Sequence, residues 1–106
     1  MDNATRKRLR QIAHHLHPVV IVGDAGVSDA LVAETDRALN DHELIKVKVN
    51  AEDREARQAL GAALTDACRA EVVQRIGKVL VLYRHNPEAR ADLSNVLRAG
   101  GIGAPR

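Results

Sequence analysis

Residues 18–49, PVVIVGDAGVSDALVAETDRALNDHELIKVKV, decide the fold. Residues 19–22 are a short β-branched run bounded by Pro18 and Gly23, the composition of a buried strand. Gly23-Asp24-Ala25-Gly26 is a tight turn, and Ser28 after it is competent to cap a helix, with Val27 and Val32 at the two positions of a hydrophobic staple. The inward stripe of that helix is Leu31, Thr35, Ala38 and Leu39. Residues 40–42 break the pattern. Residues 44–49 then alternate, with Ile45, Val47 and Val49 on one face and Leu44, Lys46 and Lys48 on the other. This is a β-α-β unit, which brings its two strands parallel.

The flanking segments extend the unit in both directions. Upstream, Thr5 is positioned to cap a helix whose apolar residues are Leu9, Ile12, Ala13 and Leu16, with Pro18 ending it. Downstream, Glu52, Asp53 and Glu55 suit a helix start through the helix dipole, and Ala56, Ala59, Leu60, Ala63, Leu64, Ala67 and Cys68 make an apolar face. Residues 71–76 and 79–84 read as strands joined by Gly77-Lys78, a type II′ hairpin with glycine at its first central position. The order is α-β-α-β-α-β-β: an α/β single domain with a mixed four-stranded sheet and three main helices. Residues 87–97 are expected to add a terminal helix. The domain is expected over residues 1–98, and residues 99–106, rich in glycine, are expected to form a flexible tail.

The chain's 106 residues, 45% apolar and 28% charged, fit one globular domain and argue against a disordered or fibrous chain. The apolar runs at 19–22 and 79–83 are far short of a membrane span, and no signal-type run opens the sequence, so a cytoplasmic protein with no membrane partner is expected. Cys68 is the sole cysteine, which excludes an internal disulfide and a cysteine-based zinc site within one chain. Tyr83 is the sole aromatic, which disfavours a sheet carrying several base-stacking rings.

Net charge is only +2, yet its distribution is segregated. Arg6, Lys7, Arg8 and Arg10 face Asp2 alone in residues 1–20, whereas residues 21–43 hold six acids (Asp24, Asp29, Glu34, Asp36, Asp41, Glu43) against Arg37. Lys46, Lys48, Lys78 and Arg84 return positive charge to the strands. Basic residues are therefore able to gather on one face without a high net charge.

The Gly23-x-x-Gly26 turn lies between a strand and a helix start, where backbone amides can approach a phosphate. Two glycines at that spacing are more often a turn requirement than a ligand site. The turn lacks the Gly-Lys-Ser/Thr ending of a nucleotide-binding loop and the third glycine of a dinucleotide fingerprint. Ser28 grazes a nucleophile-elbow pattern, but Ala30 replaces its last glycine. His14, His15 and His17 diverge around a helix with no thiol or carboxylate at ligand spacing, and Cys68 falls on an apolar stripe. No metal, cofactor or catalytic residue is expected. Lys46 and Lys48 share one side of their strand and Lys78 and Arg84 one side of theirs, so a basic surface beside the glycine turn is geometrically available.

Four segments in order, LRQIAHHLHPVVIV at 9–22, GDAG-VS at 23–28, HELIKVKV at 42–49 and IGKVLVLYR at 76–84, resemble the YhbY-like proteins, stand-alone members of the CRM domain family. The resemblance covers about residues 5–86. It implies an RNA-binding domain with a fold like the C-terminal domain of translation initiation factor three, and an association with ribosomal RNA in precursors of the large ribosomal subunit. It places the family's glycine loop on Gly23, Asp24, Ala25 and Gly26 and its basic strand positions on Lys46, Lys48 and Lys78; Arg84 is added from the strand reading. Asp24 departs from the basic or neutral residues that family members often carry in the loop. The expected partner is RNA, with ribosomal proteins as further partners and a monomeric state. The rivals are a protein-interaction module using the acids Glu34, Asp36 and Asp41, and, less well supported, a small hydrolase or nucleotide-binding enzyme.

Overall fold

Alternation in the central strand sorts the molecule into two cores. The computed structural model describes residues 1–102, and its elements run α1 (Asn3–Ala13), β1 (Pro18–Val22), α2 (Asp29–His42), β2 (Leu44–Val49), α3 (Arg54–Cys68), β3 (Glu71–Ile76), β4 (Val79–Tyr83) and a single-turn α4 (Asn95–Arg98). The strands form one sheet in the order β1-β2-β4-β3. β1 pairs with β2 in parallel, and β4 is antiparallel to both of its neighbours, so β4 alone runs against the other three. The mixed four-stranded α/β fold is the one its periodicities predict.

Ile45, Val47 and Val49 of β2 join Val20, Val22, Leu80 and Leu82 on one face of the sheet, beneath Leu39 of α2 and Leu64 and Cys68 of α3. The opposite face carries Leu44, Val73, Val81 and Tyr83, covered by Leu9, Ile12 and Ala13 of α1 and by Val96 of α4. Each fully buried leucine contributes roughly 2 kcal/mol of transfer free energy, so both layers are needed to hold the sheet. Among the described residues no helix is long and apolar enough to cross a membrane.

Several boundaries depart from expectation. Asp2, not Thr5, caps α1: its carboxylate accepts from the Thr5 amide at 2.7 Å, and that bond holds the Asp2 carboxyl below its ordinary value. The helix ends at Ala13, ahead of Pro18, which instead opens edge strand β1. On α3 the inward face is rotated: Gly61, Leu64, Thr65 and Cys68 are buried, whereas Ala59, Ala63 and Ala67 are exposed. Gly61 lets α3 lie close on β4, since a Cβ there would stand 3.3 Å from Leu80 Cδ2.

β4 stops at Tyr83, leaving Arg84 just beyond the sheet. The expected terminal helix is only the turn at Asn95–Arg98, capped by Ser94. Residues 99–102 lie against α1. Arg8 donates to the Ala99 and Gly101 carbonyls at 2.6 and 3.2 Å, and Ile102 packs on the α1 core. The rest of the expected tail, 103–106, lies outside the described residues.

Candidate nucleic-acid interface

The glycine turn projects from the C-terminal end of β1. Gly26 donates its amide to the Gly23 carbonyl at 3.0 Å, closing the turn, and Ser28 then caps α2 by accepting from the Leu31 amide at 3.1 Å. Gly26 needs its glycine for the backbone: its φ is +68°, and a Cβ would touch Leu60 Cδ2 at 3.7 Å. Gly23 does not. Its φ is outside the left-handed region and a Cβ there would meet no atom within 4 Å. The bare Gly23 therefore leaves open space that the folded chain does not use. The Gly26 amide is spent inside the turn, so it is not among the backbone amides that can approach a phosphate there. Asp24 and Ala25 form the exposed tip, and their amides donate to no group among the described residues.

Strand register builds a surface beside this turn. Ile21 pairs with Lys48, Lys48 with Val79, and Val79 with Ile76, so one residue from each strand makes a row across the whole sheet. α1 stops short of this row. Ile21 is 60% and Ile76 52% exposed, and Lys48 is exposed between them. One step down, Lys46 pairs with Val81 and lies on the same face, half-buried at the edge of α1.

Lys46 sits in a groove with Lys7, Arg10 and Gln11 of α1, His14 just after it, and Gln74 and Ile76 of β3. The sequence marks the four α1 bases, Arg6, Lys7, Arg8 and Arg10, as a local excess of charge without locating the sheet face beneath them. Two of the four are structural anchors: Arg6 donates to the Val72 and Val73 carbonyls at 2.8 and 3.1 Å, and Arg8 holds residues 99 and 101. Lys7 and Arg10 remain exposed at the groove.

Of the other predicted residues, Lys78 is at the right end of the sheet, its carbonyl accepting from the Val49 amide at 2.7 Å. Its ammonium is engaged by Glu52 at 2.6 Å, and that bond holds the exposed Glu52 carboxyl below its ordinary value. Arg84 lies at the opposite end of the sheet, beyond Tyr83. Its guanidinium donates to Asp36 Oδ1 at 2.7 Å, the Cys68 carbonyl at 2.8 Å, the Asp36 carbonyl at 3.0 Å and Asn40 Oδ1 at 2.9 Å. Arg84 thus ties α2 to α3 and is not part of the lysine surface. The structure brings Gly23–Gly26, Lys46 and Lys48 to one part of the sheet, turns the Lys78 side chain to the α3 side, and separates Arg84 from them.

Residues 1–84 match the sequence model of the CRS1/YhbY (CRM) domain. The chain is 46% identical over 97 residues to the "Probable RNA-binding protein PA4753" of Pseudomonas aeruginosa, covering 92% of this chain and 93% of that protein. It is 48% identical over 93 residues to an RNA-binding protein of Haemophilus influenzae, covering 88% and 94% respectively. Its fold is similar to the solution structure of the hypothetical protein SAV1595 from Staphylococcus aureus, with a TM-score of 0.71 and 32% identity over 83% of this chain and 93% of that one.

Proposed function

Because the chain belongs to the CRS1/YhbY (CRM) domain family, we propose that it is a non-catalytic RNA-binding protein that acts in the cytoplasm on ribosomal RNA of large-subunit precursors, holding it in an assembly-competent conformation. The observation that carries the reading is the convergence, at one end of the sheet, of a side-chain-free turn at Gly23 with the solvent-open row Ile21–Lys48–Val79–Ile76. An RNA backbone fits against Gly23 without steric cost. Lys46, Lys48, Lys7 and Arg10 neutralise phosphates, and the apolar row takes ribose and base faces. With one aromatic in the chain, recognition rests on shape and phosphate position.

The test is ultraviolet crosslinking of the tagged protein in growing cells, with sequencing of the attached RNA and a Lys46→Ala/Lys48→Ala variant alongside. Enrichment at a few sites in large-subunit ribosomal RNA or its precursor, reduced in the variant, supports the reading. RNA recovery at background would transfer the function to the acidic helix α2 as a protein-docking surface.

A further inference from the structure

A second cationic site lies on the other side of the sheet, in a cleft between the start of α3 and the β3–β4 turn. It is lined by Arg54, Arg57, Gln58, Gly61, Arg75 and Lys78, over a floor that includes Val49 and Leu80. Arg75 pairs in register with Leu80, the residue under α3, so it faces the opposite way from the Ile21–Lys48 row. Arg57 is pre-oriented: its Nη1 donates to the Ala51 and Glu52 carbonyls at 3.0 and 2.7 Å. Arg54 and Arg75 are exposed and make no ion pair among the described residues. Three guanidiniums and an ammonium thus surround one cleft, and among the described residues the single carboxylate in an ion pair with any of them is Glu52, on Lys78.

Like charges converge at a cost that a bound anion removes, and planar guanidiniums match phosphate oxygens in pairs. The cleft is separated from the lysine row only by the Gly77-Lys78 turn: Ile76 and Val79, which flank that turn, belong to the row, and Lys78 itself lines the cleft. We infer that this cleft binds a phosphodiester of the same RNA, so that the RNA passes around the β3–β4 turn and is gripped on both faces of the sheet. The inference rests on the RNA-binding reading above and assigns it a second contact that the sequence motifs do not mark.

The experiment is binding of a fluorescein-labelled RNA stem-loop with single-stranded flanks, followed by anisotropy across a salt series. The Arg54→Gln/Arg75→Gln protein is compared with the wild type and with Arg37→Gln/Arg98→Gln, a control that removes the same charge from α2 and α4. Both pairs are exposed, so circular dichroism and melting should match the wild type. The cleft variant is expected to bind about tenfold more weakly, with the log–log salt slope reduced by about 1.4 to 1.8, while the control moves little. Wild-type affinity and slope in the cleft variant, or an equal loss in the control, would overturn the cleft and leave RNA binding standing. Absence of binding by the wild type would overturn the functional reading and the cleft with it. If inorganic phosphate alone saturates the Arg54 and Arg75 side-chain NMR shifts and the RNA leaves them unmoved, the cleft is a free-anion site and the inference falls.

Discussion

Ser94 Oγ donates to Glu43 Oε1 at 2.8 Å across fifty-one positions of sequence, and neither side chain reaches solvent. Glu43 Oε2 accepts from the Asn86 amide at 2.7 Å and faces His85 Nδ1 at 3.1 Å. Glu43 itself has a φ of +61°, a conformation costing a non-glycine residue about 1–2 kcal/mol. The carboxylate offsets that strain by pinning the segment after β4 to the start of β2. Ser94→Ala is expected to lower stability by about 1–3 kcal/mol, and Glu43→Ala by more, because it strands several donors at once. Urea unfolding of the two variants checks the order.

Arg84 supplies the next test. Its planar fork reaches α2 and α3 together, an arrangement an ammonium cannot reproduce, so Arg84→Lys should cost about 1–2 kcal/mol while leaving RNA affinity within a factor of two. A large affinity loss without a stability loss would place Arg84 back in the interface.

The two glycines of the turn should separate cleanly. Gly26→Ala forces a left-handed alanine and is expected to cost about 1 kcal/mol in stability. Gly23→Val has room in the free protein, so its melting temperature should hold while RNA affinity falls. Melting curves and anisotropy on the same two proteins decide it.

The Glu52–Lys78 pair predicts a pH dependence of defined sign. The folded state depresses the Glu52 carboxyl, so the pair's contribution is full above the ordinary value of 4.5 and is lost as pH falls through the lower folded value. Glu52→Gln should flatten this acid limb and leave stability near neutral pH little changed, since the pair is exposed and screened. The same variant frees Lys78 and should tighten RNA binding. Denaturation from neutral to acid pH, with anisotropy at neutral pH, measures both.

Cys68 is 3% exposed, and burial pushes its thiol up. Less thiolate and less access mean that iodoacetamide should leave it unmodified in the native protein and label it in urea in proportion to the unfolded fraction. Rapid native labelling would contradict the packing of α3 on the sheet.

The sheet was legible because Ile45, Val47 and Val49 alternate with lysines, and because Gly77-Lys78 has one turn geometry available, with glycine at positive φ. α3 was misread by one face because its alanines bury too little area to decide a stripe, and the small residues Gly61 and Thr65 are what fit against β4. The cap of α1 was displaced by one turn because Asp2 and Thr5 are both competent and only the earlier one is used. Within the candidate site, the glycine turn and Lys46 and Lys48 were readable from local pattern. Arg84 was misplaced because its partners, Asp36 and Asn40, lie more than forty residues away, and no local pattern announces an ion pair across that gap. Lys7 and Arg10 were visible as charges, but only topology sets α1 on the face that Lys46 shares.

The neutralisation of Arg84 by α2 also shapes how the molecule meets a partner from a distance. With that cation spent internally, the acids of α2 stand apart from the basic surfaces, which are Lys7, Arg10, Lys46 and Lys48 on one face of the sheet and Arg54, Arg75 and Lys78 at the α3 cleft on the other. A polyanion drifting towards the domain is turned before it touches, repelled from α2 and drawn to the basic surfaces. Productive collisions are thereby enriched among all collisions, and salt slows arrival as well as loosening the finished complex.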